Sequence, residues 1–194
     1  FAGMFRYSKL IEDINNADTS ILSNITTVRM YKYFTPTLNS GIKYTLSYNN
    51  ALYNPHSAGH NSTGGGIISS TGFKIDGDTT NEHFLDDDGA GVLRVYYLSG
   101  TTRVYTDSTY GTVNYATGEV ILTSAKLTSI SNVDGATSTQ VRVFATPSSN
   151  DVVPVRNQVL SIDTSNSTIT GEVDGIESGS SQAGTTYTTT SSYS

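Results

Sequence analysis

Three histidines, seventeen acidic residues and no cysteine bound the chemistry open to this chain. His56 and His60 stand four apart, a spacing that on a helix would put both rings on one face for a metal ion. Pro55, Gly59 and Gly64-Gly65-Gly66 oppose a helix there, so solvated loop histidines are the expectation, and His83 stands alone. Asp76-Gly77-Asp78 and Asp86-Asp87-Asp88-Gly89 are richer in oxygen and make Asp86 and Asp88 the candidate metal ligands. A calcium loop, however, needs acids at alternate positions, a central Gly and a closing Glu, and neither segment has them. Asp and Gly in such runs serve tight turns, so no metal is expected. The three glycines are not followed by Lys-Ser or Lys-Thr, so they are no phosphate loop. No Gly-x-Ser-x-Gly elbow occurs. Neither catalytic residues nor a cofactor are expected, and the chain does not read as an enzyme.

Composition narrows the partners. Eleven basic residues against seventeen acidic give a net charge of −6. The basic ones are scattered singly, without the clustered positive charge that nucleic acid demands. No apolar run approaches the ~18 residues of a membrane-spanning helix. Ser and Thr make up 55 of 194 residues, so matches to the glycosylation pattern at Asn24, Asn61 and Asn166 are expected by chance. Thirteen tyrosines remain. Tyr buries a large ring while keeping a hydroxyl for a partner, which suits sheet surfaces, interfaces and sugar sites alike. Tyr31, Tyr33, Tyr44 and Tyr48 are spaced like one exposed to half-exposed sheet face.

The elements that must position these residues are mostly strands. Leu10, Ile14, Ala17 and Ile21 recur at helical steps, predicting a helix over 7–16, with Ser8 as its cap, then a turn or short helix from Asp18 to Leu22. Two-residue alternation then predicts strands over 28–33, 42–48 and 140–145. Val92 to Leu98 is apolar on both faces, as in a central or covered strand. Ala116-Thr117-Gly118 between Val113-containing and Val120-containing runs predicts a hairpin. Val152 to Ile162 is strand-like but interrupted by Pro154, which suits an edge or a bend. Asn49–Gly66 and Asp76–Gly91 read as long loops, and the Ser/Thr-rich tail from Ser178 as a segment that either its own domain or a neighbouring chain has to order. The expected fold class is α+β, mostly β: a short N-terminal helix followed by antiparallel strands and long loops.

An ordered series of pieces carries a resemblance. It begins with Phe5-Arg6-Tyr7-Ser8-Lys9-Leu10-Ile11, Ile14 and Ser23-Asn24-Ile25-Thr26, and continues through Tyr33-Phe34-Thr35-Pro36 and 44–50. It resumes at Asp87-Asp88-Gly89-Ala90-Gly91, at 111–120 and at 141–162, with Ala145-Thr146-Pro147, Asp151-Val152-Val153-Pro154 and Arg156-Asn157. In these the chain resembles the C-terminal part of the large ring-forming baseplate wedge protein of T4-like contractile-tailed phages, distantly related to the baseplate J proteins. Coverage runs to about residue 176, and the low-complexity tail departs from the pattern.

The resemblance implies a fragment of a longer subunit, in line with Phe1 standing where an initiator Met would. It also implies a structural role. Copies pair and link neighbouring wedges into a ring around the hub, with other wedge proteins as further partners. The location is then the virion, after assembly in the host cytoplasm. The organisation expected is 1–40 packing with 130–176, an inserted β-rich region over 41–129, and a tail over 177–194. Interface candidates are Leu10 and Ile14 on the helix, and Tyr31, Tyr33, Val153 and Val155 on strands. The competing reading is a receptor- or glycan-binding β-module of a tail fibre or surface protein.

Overall fold

The structure, a computed structural model, describes residues 3–54, 66–133, 135–154 and 160–172. The chain divides into two units, Phe1–Leu160 and Ser161–Ser194. The first is mostly β, with one short helix. Helix α1 spans Tyr7–Asn15, as its apolar spacing predicts. Ser8 lies inside it rather than at its cap. The first amide is satisfied from a distance instead: Tyr7 N donates to Asp151 Oδ1 at 2.8 Å, a carboxylate at the positive end of the helix dipole. The segment after α1 is a turn and not a second helix, with Ser20 N held by Asp18 Oδ1 and Ile21 N by the Asp18 carbonyl.

Three strands form a small antiparallel sheet. These are β1 (Met30–Phe34), β3 (Ile68–Ser70) and β10 (Val141–Ala145), in the order β1-β10-β3. Seven strands form the other: β2 (Ile42–Ser47), β4 (Phe73–Ile75), β5 (Asp78–Asp87), β6 (Val92–Ser99), β7 (Thr102–Asn114), β8 (Glu119–Ala125) and β9 (Leu127–Ile130). Their order is β2-β8-β7-β6-β5-β4-β9. β8 and β9 are separated by Lys126 alone, yet β9 stands at the far edge from β8's end of the sheet. One intervening residue spans only about 7 Å, so the sheet has to curl on itself to bring those strands together. The result is a half-barrel.

One core serves both sheets. Val141, Val143 and Ala145 from β10 pack with Ile68, Phe34, Leu46, Leu52, Leu93, Val95, Val120 and Leu122. β6 occupies the middle of the seven strands and buries Leu93 to Tyr96 on both faces, which is why its apolar residues do not alternate.

The stretch 76–91, expected to be a loop, is mainly the ten-residue strand β5. The Asp and Gly residues punctuate its ends. Asp76-Gly77 is the two-residue turn from β4 to β5, with Ile75 opposite Asp78 and Gly77 at φ +90°; a positive φ there favours glycine. The second Asp/Gly cluster turns β5 into β6. Between them His83 and Leu85 point into the core. The hairpin expected at 116–118 is present between β7 and β8, closed by Asn114 opposite Glu119.

Val152 to Ile162 forms no strand among its described residues. Val152 makes a single antiparallel bridge with Phe5, and Pro154 supplies no amide for a ladder. In the second unit, Asp163 caps a 3-10 turn, Thr164–Asn166, by accepting from Ser165 N and Asn166 N. The tail from Ser178 and the loop histidines His56 and His60 lie outside the described residues.

Candidate assembly surface

The Asp86-Asp87-Asp88 run is spoken for by its own fold. Strand alternation sends Asp86 and Asp87 to opposite faces of β5, and both are almost fully buried. Asp86 accepts from Arg94 Nε (2.9 Å) and Nη2 (3.3 Å), from Arg103 Nη1 (2.7 Å) and from the Tyr105 hydroxyl (2.8 Å). The guanidiniums are themselves stacked, Arg94 over Tyr105 and Arg103 over Tyr96. Asp87 accepts from Ile68 N (2.8 Å) and the Tyr115 hydroxyl (2.6 Å), tying β5 to β3 and to the β7–β8 turn. Burial, reinforced by Asp87, pushes the Tyr115 hydroxyl far above its usual range. Asp88 Oδ1 receives Ala90 N and Val92 N and shapes the turn. Among the described residues no group of three or more His, Asp or Glu side chains is placed to hold a metal ion. Buried and hydrogen-bonded, Asp86 and Asp87 hold the strands they reach in register.

His83 is fully buried, its Nε2 3.1 Å from Thr106 Oγ1 and 3.6 Å from Asp78 Oδ2. Burial lowers its pKa, against the opposing pull of Asp78.

The outward side of the small sheet is different in kind. β1 turns Phe34 into the core and Tyr31 and Tyr33 away from it. Register places Tyr31 opposite Phe144 and Tyr33 opposite Arg142, with Ser69 beyond Phe144. The rings of Tyr31 and Phe144 lie 5.8 Å apart, Arg142 sits over Tyr31, and Arg29 sits over Phe144 while donating to Ser69 Oγ at 2.7 Å. Tyr33 remains 57% exposed. Aromatic rings held flat by arginines cost little side-chain entropy to fix, and such residues dominate binding surfaces.

Tyr44 and Tyr48 do not share this face. They belong to β2 and the residue just after it, in the other sheet. Tyr44 packs on Phe34, and Tyr48 is buried with its hydroxyl donating to the Val143 carbonyl at 2.6 Å. The four-tyrosine face expected from the spacing is therefore two separate pairs.

The other interface candidates lie around α1. Not one residue of that helix is buried; Leu10, Ile11 and Ile14 are half-covered. The chain returns along it, with Asn24 Nδ2 donating to Asn15 Oδ1 and the Tyr7 hydroxyl to the Thr26 carbonyl. This return leaves Leu22 and Ile25 in solvent. Val153 follows the Phe5–Val152 bridge. Its backbone is clamped by both amide atoms of Asn50, and its side chain is exposed. Val155 lies outside the described residues.

Arg29, Arg142 and Phe144 join this face without being among the expected interface residues, although Arg142 and Phe144 alternate with buried Val141, Val143 and Ala145 and so had to face outward. Comparison with protein-family models, with curated proteins and with solved structures finds no match.

Proposed function

We propose that this chain is a structural subunit of a phage-tail baseplate wedge, which self-associates and links neighbouring wedges into a ring around the hub. The observation that carries the reading is the outward Tyr31/Tyr33 face on an edge strand, in a unit whose helix buries no residue of its own. The ordered run of residues resembling the wedge family supports it as well. A two-fold pair buries one patch on both partners. The exposed rings supply the anchors, while Leu10 and Ile14, with Leu22 and Ile25, supply further apolar area.

Light scattering coupled to size exclusion, run over a dilution series, tests this. The expected result is a dimer that persists on dilution and is indifferent to chelator. The paired substitution Tyr31→Ser with Tyr33→Ser is expected to weaken it by about tenfold or more, as removal of anchor side chains does, with little change in melting temperature. A monomer at every concentration would sink the proposal. The aromatic and arginine composition of the same face also suits a sugar, so a monomer whose melting temperature rises with a glycan would favour the receptor-binding module instead.

A further inference from the structure

Charge is sorted along this chain. The small sheet, taken with Arg29 just before β1, carries Arg29, Lys32 and Arg142 and no acid. Everything from Asn157 to Ser194 carries Asp163, Glu172, Asp174 and Glu177 and no base. The second unit is also unburied where described: Ile162 is 60% exposed and Ile169 is 96% exposed. Past the 3-10 turn at Thr164–Asn166, the sequence sets Ile169 and Val173 in alternation with Thr170, Glu172 and Asp174, a pattern that suits an extended segment laid against a sheet. β1, in turn, is an edge strand and presents two tyrosines beside two guanidiniums.

We infer that the acidic arm beginning at Leu160 in one copy docks on the Tyr31/Tyr33/Phe144 face of a second copy. Ile169 meets the rings, and the carboxylates beyond it meet Arg29 and Arg142. This rests on the reading that the chain self-associates, and it adds which surfaces meet. The exchange is reciprocal, each copy giving an arm and receiving one, so it closes as a dimer. Edge strands that accept a segment from a neighbour are a recurrent mode of assembly.

Two full-length variants test it. In one, Arg29→Glu with Tyr33→Glu makes the face acidic and touches only exposed positions. In the other, Glu172→Lys, Asp174→Lys and Glu177→Lys make the arm basic. Each alone then sets like charge against like. The dimer dissociation constant is expected to rise by about tenfold or more in each, with the melting temperature held. Mixed one to one, the acidic face of the first meets the basic arm of the second, and association is expected to return.

Failure of the mixture to restore association overturns the exchange, as does a basic-arm variant that dimerises like the wild type. In both cases the wild-type dimer still stands, so self-association survives while this pairing does not. A wild type that is monomeric throughout removes self-association and this inference with it.

Discussion

At Asp86 two carboxylate oxygens collect four donors in a site where only 1% of the residue reaches solvent. A buried charge of this kind is stable only while its partners are present. Asp86→Ala leaves Arg94, itself 95% covered, facing a gap. A loss of about 3–5 kcal/mol is expected, as for other broken buried pairs, read as a lower urea midpoint. Asp76→Ala breaks only the exposed pair with Lys126 and should cost less than about 1 kcal/mol; equal losses would refute the contrast. The sequence offered one sign of this cluster. Arg94 stands in the middle of the apolar run Val92–Leu98, and an arginine on a strand covered on both faces requires an acid nearby. Which acid it meets depends on β5 pairing with β6, and no local pattern contains that.

Strands and turns were legible to different degrees. Helix α1, the hairpin at 116–118 and the central strand β6 follow from spacing and turn residues alone. β5 did not, because Asp and Gly at both of its ends read as one long loop, and its acids looked like loop acids. Their burial is a tertiary matter: Asp87 is wanted by Ile68 N and Tyr115, which arrive from distant parts of the chain. The closeness of β7 and β8 gives an element-scale prediction. A Cβ on Gly111 would collide with the Ile121 carbonyl across the ladder, and backbone cannot rotate aside as a side chain does. Gly111→Ala is expected to cost about 2–3 kcal/mol or more, the range for overpacked interiors. Gly171→Ala, with open space around it, should be neutral. Chemical denaturation of the two variants decides it, and equal stability would refute the clash.

For the molecule as a whole, a net charge of −6 means that mild acid relieves self-repulsion. His83 works against that relief. Its pKa is lowered by burial more than Asp78 raises it, so the unfolded chain takes up a proton near pH 6.5 that the folded chain refuses. The stability His83 contributes is full above that pH and is lost as the pH falls toward the lower folded value. The wild type is therefore expected to lose melting temperature relative to His83→Gln between about pH 7 and pH 5. Parallel curves for the two proteins would exclude His83 as the cause. The division after Leu160 was not legible, since nothing in the Val152–Ile162 pattern marks where packing stops. The acidic composition beyond it was plain in the sequence.

The pairing of β1 with β10 also has a consequence in time. β4 to β8 follow one another by short turns and can zip as they leave the ribosome, but Tyr48 waits for Val143, 95 residues later. β1 likewise has no strand partner until β10 has been made, and pairings this distant form late. The tyrosine face thus comes into being only when the body behind it is complete, so a nascent chain has nothing to offer a neighbour until it has finished folding. On the pairing proposed above, association then follows folding by the order of the sequence itself.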